Sequence, residues 1–227
     1  MATFEAQIEA LTNISLTTTS TPSTTQVDQF LNDGVLDFTA QYLRAFPAEG
    51  PLFARESSEY TANSADLDSP TILSIVRESG VNNDWRVCRK GFPGMEAMVQ
   101  DKDSIHYASK INPVYIQIGD NISVYPEPDS NQNAFKVYYV NNAPLDGSSG
   151  ALTIADSTVS HFPTTKIYLL VVYAAMKVVE AKMADYTVTE EDPELMKSYA
   201  SNLQVLRTQY YSEFGAGQQQ EGGQNEG

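Results

Sequence analysis

The segment His161–Ala184, HFPTTKIYLLVVYAAMKVVEAKMA, limits the possible folds of this chain more than any other stretch. It reads as a helix with apolar side chains on nearly every face, so it has no side suited to water and something must cover it. Its uninterrupted apolar run, Ile167–Met176, is closed off by Lys166 and Lys177. A bilayer span needs about 20 consecutive apolar residues. Protein is therefore the expected cover, in the centre of a helical bundle or between subunits, with Leu170 and Val171 at the buried middle.

Pro163 suits the first turn of this helix, where its missing amide would be unpaired anyway, and the helix should run to about Ala184. Asp192-Pro193-Glu194 offers a second start, with an acidic cap and a carboxylate near the positive end of the helix dipole. From there Leu195, Tyr199, Leu203, Leu206, Tyr210 and Phe214 form a one-sided stripe. The connection is short enough to set the two helices antiparallel. Upstream, Val27, Phe30, Leu31, Gly34, Phe38 and Tyr42 recur at helical spacing, predicting a helix from about Thr25 to Arg44. Ser23 and Gln26 make a capping box, and Phe46-Pro47 followed by Gly50-Pro51 stops the helix. Phe4, Ile8 and Leu11 predict a short amphipathic helix. Residues 15–25, SLTTTSTPSTT, read as a flexible or extended connector, and residues 215–227 as a disordered tail with nothing large to bury.

Between the helical regions the hydrophobic period changes to two. After a polar stretch, ARESSEYTANSADLDSP, strands are expected around Ile72–Val76 and Trp85–Cys88. Val114, Ile116 and Ile118 alternate with Tyr115 and Gln117, and Gly119-Asp120-Asn121 then turns the chain into Ile122–Tyr125, a hairpin signature. A further strand is expected at Phe135–Val140. The expected class is α+β: a helical bundle from the N- and C-terminal helices (1–69 with 159–214) and an inserted antiparallel β-domain (70–158).

Composition excludes several functions. Against 14 Lys and Arg stand 29 Asp and Glu, a net charge of -15, whereas gripping nucleic acid requires a basic surface that releases counterions. The acidity fits solubility, or a surface that lets DNA slide past. A single cysteine, Cys88, forbids an internal disulfide, and with only His106 and His161 it leaves no zinc ligand set. The N-terminal residues lack the charged and apolar regions of a signal peptide, and the sequons at Asn13 and Asn121 are read as chance matches. His161 lies at a helix start and His106 in an expected strand, SIHYAS. The cationic neighbours of Cys88 could lower its thiol pKa, but a lone cysteine in a β-run reads as a core residue. Asp101 and Asp103 lack the spaced ligands of a calcium loop. No phosphate-cradling glycine loop or serine elbow occurs, so neither catalysis nor a cofactor is expected. Tyrosines 107, 115, 125, 138 and 139 cluster in the β-region, as cross-strand pairs, as a protein-binding surface or as a sugar-stacking one.

The order of segments carries more than any single residue. A capped helix in TSTPSTTQVDQFLNDGVLDFTAQYL is followed by a β insertion containing VYPEP and FKVYYVNNAP, then by FPTTKIYLLVVYAAMKVVEAKM and a closing amphipathic helix. Over most of residues 1–214 this resembles the head-to-tail adaptor, or connector, proteins of tailed bacteriophages, especially podovirus-like and marine phage versions. The most specific pieces are Phe162-Pro163 through Ala175 and TTQVDQFLNDG.

The resemblance implies a non-enzymatic virion protein in the neck, made in the cytoplasm of an infected bacterium. It would form a homo-oligomeric ring, commonly of twelve copies, docked beneath the portal protein, with helices as the ring body. The β-domain would reach toward a downstream tail protein such as a nozzle or tail-tube component, and DNA would pass through without specific binding. The candidate subunit or partner interface comprises Phe162, Pro163, Tyr168, Leu170, Val171, Tyr173, Tyr199, Tyr210 and Phe214. Alternatives are another neck or tail-completion protein, or a glycan- or receptor-binding module.

Overall fold

The computed structural model describes residues 2–67, 71–129, 132–140, 144–189 and 193–221. The chain is α+β and divides into two compact units, Met1–Leu52 with Asn142–Gly227, and the inserted Phe53–Asn141.

Among its described residues the first unit holds four α-helices: α1 (Phe4–Thr12), α2 (Thr24–Ala45), α4 (Ile167–Thr189) and α5 (Pro193–Glu221). Helix α2 starts with the expected capping box, Ser23 and Gln26 each bonding the other's backbone amide. Its inner face is Val27, Leu31, Gly34, Val35, Phe38, Thr39 and Tyr42. In α1 the third buried position is Thr12, not the expected Leu11. The Thr12 hydroxyl satisfies itself by donating to the Ile8 carbonyl at 2.8 Å, which lets a polar residue sit inside.

Helix α4 packs against α1, α2 and α5. Its side chains from Ile167 to Val179 are buried except Tyr168, Tyr173 and Lys177, so the all-round apolar surface is covered by this chain's own helices. Tyr168 meets Gln209, Tyr173 meets Tyr210, Glu180 meets Arg207 and Tyr186 meets Tyr199, an order that makes α4 and α5 antiparallel.

Several boundaries differ from the sequence expectation. Helix α4 begins at Ile167 after a 3-10 turn, Thr164–Lys166, and continues to Thr189 instead of stopping near Ala184. Asp192, the expected cap of α5, lies outside the described residues. The backbone of α5 is helical to Glu221, where disorder was expected from residue 215.

The Thr-rich connector is neither free nor simply extended. Ile14 and Leu16 are buried, the Leu16 amide donates to Glu9 Oε1 at 2.7 Å, and the Thr24 amide donates to the Thr17 carbonyl at 3.1 Å. Residues 144–158, expected in the β-domain, belong with the helices. Ile154 and Asp156 carbonyls accept the Glu5 and Phe4 amides at 2.8 and 2.7 Å, and the Ile154 amide donates to Asp28 at 2.7 Å.

The inserted unit begins earlier than expected, because the polar stretch before residue 70 contributes two short strands. They are β1 (Ala54–Glu56) and β2 (Ala65–Asp66), followed by β3 (Thr71–Glu78), β4 (Trp85–Val87), β5 (Arg89–Lys90), helix α3 (Glu96–Gln100), β6 (Val114–Ile118), β7 (Asn121–Tyr125) and β8 (Phe135–Val140). Two four-stranded sheets result, ordered β1-β8-β3-β4 and β2-β7-β6-β5.

All pairs are antiparallel except β5 with β6, which run parallel. The parallel pair arises because the chain crosses between sheets without turning back. Val87 ends a strand of one sheet, buried Cys88 bonds across to Ile75, and Arg89 begins a strand of the other. Side chains from both sheets share one core that includes Ile75, Cys88, Tyr115, Ile122, Phe135 and Val137. The opposite face of β6 and β7 packs under Met95, Val99 and Ala108.

Arg77 is almost fully buried in this unit, and its guanidinium donates to three backbone carbonyls: Pro126 at 2.8 Å, Glu78 at 2.5 Å and Glu127 at 3.5 Å. Burial lowers its pKa, since a buried charge is penalised. His106, expected in a strand, lies in the turn region between α3 and β6.

Candidate assembly surface

The sequence-predicted interface residues divide by exposure. Leu170, Val171 and Tyr210 are fully buried and Phe162 nearly so. They hold the helical unit together and present nothing to a partner. Pro163, Tyr173, Tyr199 and Phe214 are half-buried, and Tyr168 alone is exposed, at 43%.

The structure brings four of these together around Phe38, a residue the α2 periodicity marks as core. The Phe38 ring lies 5.3 Å from Phe162 and 5.6 Å from Phe214, and stacks on Tyr42 at 5.2 Å. Tyr210 continues the cluster, 5.3 Å from Phe214 and 5.5 Å from Tyr173, spacings at which tilted rings attract. Tyr199 stands apart, against Tyr186 at 5.9 Å.

Polar groups close the edges of this cluster. The Tyr210 hydroxyl donates to Asp37 at 2.8 Å, and the Tyr42 hydroxyl donates to Glu49 at 2.6 Å. Burial, and then hydrogen bonding to the neighbouring carboxylate, raises both phenol pKa values, so both stay protonated donors. Lys166 pairs with Glu213 and sits over the Tyr42 ring at 5.3 Å.

Beside the cluster lies a cleft of about 420 Å³ lined by Asp37, Tyr173, Met176, Lys177, Glu180, Arg207 and Tyr211. Its cations are already engaged, Lys177 and Arg207 both bonding Glu180 at 2.9 and 2.7 Å. Burial pushes the Glu180 carboxyl up, but the hydrogen bonds from Arg207 and Lys177 outweigh it and hold the pKa below the ordinary value. The cleft is therefore an internally neutralised surface, with no cation left over to seize an anionic ligand.

Sequence reasoning missed Asp37, Glu180 and Arg207, whose pairings join residues up to 173 positions apart. It also missed why position 34 is glycine. A Cβ there would lie 2.8 Å from Tyr173 Cδ1, so the bare backbone is what lets α2 approach α4.

Elsewhere the candidates for chemistry stand separately. Cys88 is buried and its thiol is pushed up to about 12 by that burial, despite the opposing pull of Arg77. Asp101 accepts the Asp103 amide at 3.0 Å in a plain turn. Exposed His161 has a left-handed backbone at φ 52°, ahead of the 3-10 turn. Among the described residues no three His, Cys, Asp or Glu side chains gather into a metal-holding group, and no helix is long and apolar enough to cross a membrane. Of the five clustered tyrosines, Tyr115 and Tyr125 are core residues and the other three are half-buried. No protein-family model matches the chain, and no curated protein matches it.

Proposed function

We propose that this chain is a structural virion protein, a head-to-tail connector whose copies form a ring joining the portal to the tail and continuing the DNA channel. In this reading α1, α2, α4 and α5 form a bundle that is the ring body, and the inserted β-unit reaches toward the next tail component. The observation that carries the reading is the interrupted helical unit. The chain builds α1 and α2, leaves to make the complete inserted unit Phe53–Asn141, and returns for α4 and α5. That is the segment order on which the resemblance rests. The net charge of -15 supports it as well, since a channel wall for DNA must repel the phosphate backbone. The neutralised cleft, whose two cations are both bonded to Glu180, fits a surface that does not hold an anion. The glycan-binding alternative loses support because Tyr115 and Tyr125, two of the five clustered tyrosines, are inside the core.

Cryo-electron microscopy of particles from infected cells tests the proposal. Density for the chain as a closed ring at the neck is expected. Its location in the capsid shell, or its absence from particles, would overturn the assignment.

A further inference from the structure

We infer that the segment running from β5 to the start of β6 is a docking surface for the helical unit of a second copy of this chain. The inference rests on the ring reading above and names the contact that would close such a ring.

Three observations place the surface there. First, this segment has already satisfied its own core, with Met95, Val99 and Ala108 packed on Val114, Ile116 and Tyr125. It nevertheless leaves Phe92, Ile105 and Ile111 exposed at 61%, 92% and 73%. Three large apolar side chains left outward on one short segment whose core is already filled point to a surface that a partner covers. Second, Lys90, Lys102 and Lys110 are exposed and take part in no salt bridge among the described residues, whereas Lys136, Lys166, Lys177, Lys182 and Arg207 are all paired. In a chain with twice as many acids as bases, such unpaired cations are available to carboxylates in trans. Third, β5 is the outermost strand of its sheet, so no strand among the described residues covers that edge.

Charge selects the occupant. The helical unit carries 17 Asp and Glu against 6 Lys and Arg, so two such units repel each other. The cationic, apolar segment of one copy complements the acidic unit of the next. A contact between two different surfaces of identical chains propagates head to tail and closes into a ring when the rotation allows. Glu96, Asp101 and Asp103 interrupt the cations, which suits an acidic protein face better than the continuous negative field of an anionic bilayer.

The test uses the purified full chain. Because Cys88 is buried, Ile105→Cys introduces the only accessible thiol, and a benzophenone attached there should cross-link, on illumination, to peptides from residues 2–52 or 144–221 of another copy. A triple charge reversal, Lys90→Glu with Lys102→Glu and Lys110→Glu, should weaken association by at least about tenfold in sedimentation velocity. Ile105→Asp with Ile111→Asp should do the same. Both should leave the circular dichroism spectrum and thermal midpoint unchanged, because every altered side chain is exposed. Oligomers unaffected by both variants would overturn this surface while leaving the ring intact. A wild-type chain that stays monomeric at all concentrations would overturn both. Binding to phosphatidylserine-containing vesicles that the charge reversal abolishes, with self-association unchanged, would assign the segment to lipid and likewise overturn the inference.

Discussion

Gly34→Ala puts a single methyl group into the closest approach between α2 and α4. The new carbon would lie 2.8 Å from Tyr173 Cδ1, 3.3 Å from Cγ and 3.5 Å from Cβ, where carbon atoms prefer about 3.5 to 4.0 Å. Tyr173 cannot simply swing away, because its ring is held by Tyr210 at 5.5 Å and by Lys177 at 5.7 Å. Overpacking of this kind costs about 1 to 3 kcal/mol. Against it stands the better helix propensity of alanine, about 1 kcal/mol in an exposed helix interior. The clash outweighs the propensity gain, leaving a net loss of up to about 2 kcal/mol, which in a chain of this size lowers the melting temperature by up to about 8 °C. Urea unfolding followed at 222 nm measures it. In a Tyr173→Ala background the obstacle is gone, so adding Gly34→Ala should stabilise by the propensity term alone. A Gly34→Ala protein more stable than wild type in the presence of Tyr173, or a loss of the same size with Tyr173 removed, would refute the steric account.

Leu170→Asp buries a carboxylate with no partner and should cost several kcal/mol, enough to abolish the soluble folded protein, whereas Tyr168→Asp, at an exposed position, should change the unfolding midpoint little. Cys88, with its thiol pushed up to about 12 by burial, should resist a thiol reagent in the native protein at mildly alkaline pH and react fully in urea. Glu180 has a depressed folded pKa, so the stability from its pairing with Arg207 and Lys177 is present above the unfolded value, about 4.3, and is lost as pH falls through the folded value. Glu180→Gln should therefore flatten the acid limb of a plot of melting temperature against pH. Arg77→Met leaves the carbonyls of Pro126, Glu78 and Glu127 without their donor and should lower stability by about 2 to 3 kcal/mol, read as a fall in the urea midpoint.

Much of this fold is legible because its long elements bury one face or all faces. The stripe of α2 and the stripe Leu203, Leu206 and Tyr210 of α5 write a helical period into the sequence, while α4 is legible from its unbroken apolar run. What escaped has a local cause. Strands β1 and β2 are three and two residues long and are held by pairing to β8 and β7, so they carry no period of their own. The crossing at Cys88 contains no turn residue, and a run that serves two sheets reads as one strand. The connector at 15–25 is polar by composition, yet it is ordered by flanking Ile14, by Leu16 and by backbone bonds that its many threonines conceal. His106 sits among β-favouring neighbours but follows Asp101–Ser104, whose turn bonds break the strand before it can pair.

Apolarity in a sequence states that a surface must be covered, and leaves open whether the cover comes from the same chain. For α4 it comes from the same chain, because Leu170, Val171, Val172, Ala174, Ala175, Val178 and Val179 are fully buried within one copy. The consequence for assembly is specific. Substituting Leu170, Val171, Tyr210 or Phe162 would remove any oligomer by removing the fold, and so cannot report on a subunit contact. Among the nine candidate residues Tyr168 is the one whose side chain is exposed, with its hydroxyl accepting from Gln209 Nε2 at 2.6 Å. On the same helical unit Val205 and Tyr211 are exposed at 61% and 53% without having been singled out by the stripe of α5, because they lie outside it. The Tyr211 ring lies edge-on to buried Tyr210 at 5.3 Å, so of the three it is Tyr168 and Val205 whose loss of oligomer, with the folded monomer retained, separates a contact between copies from packing within one.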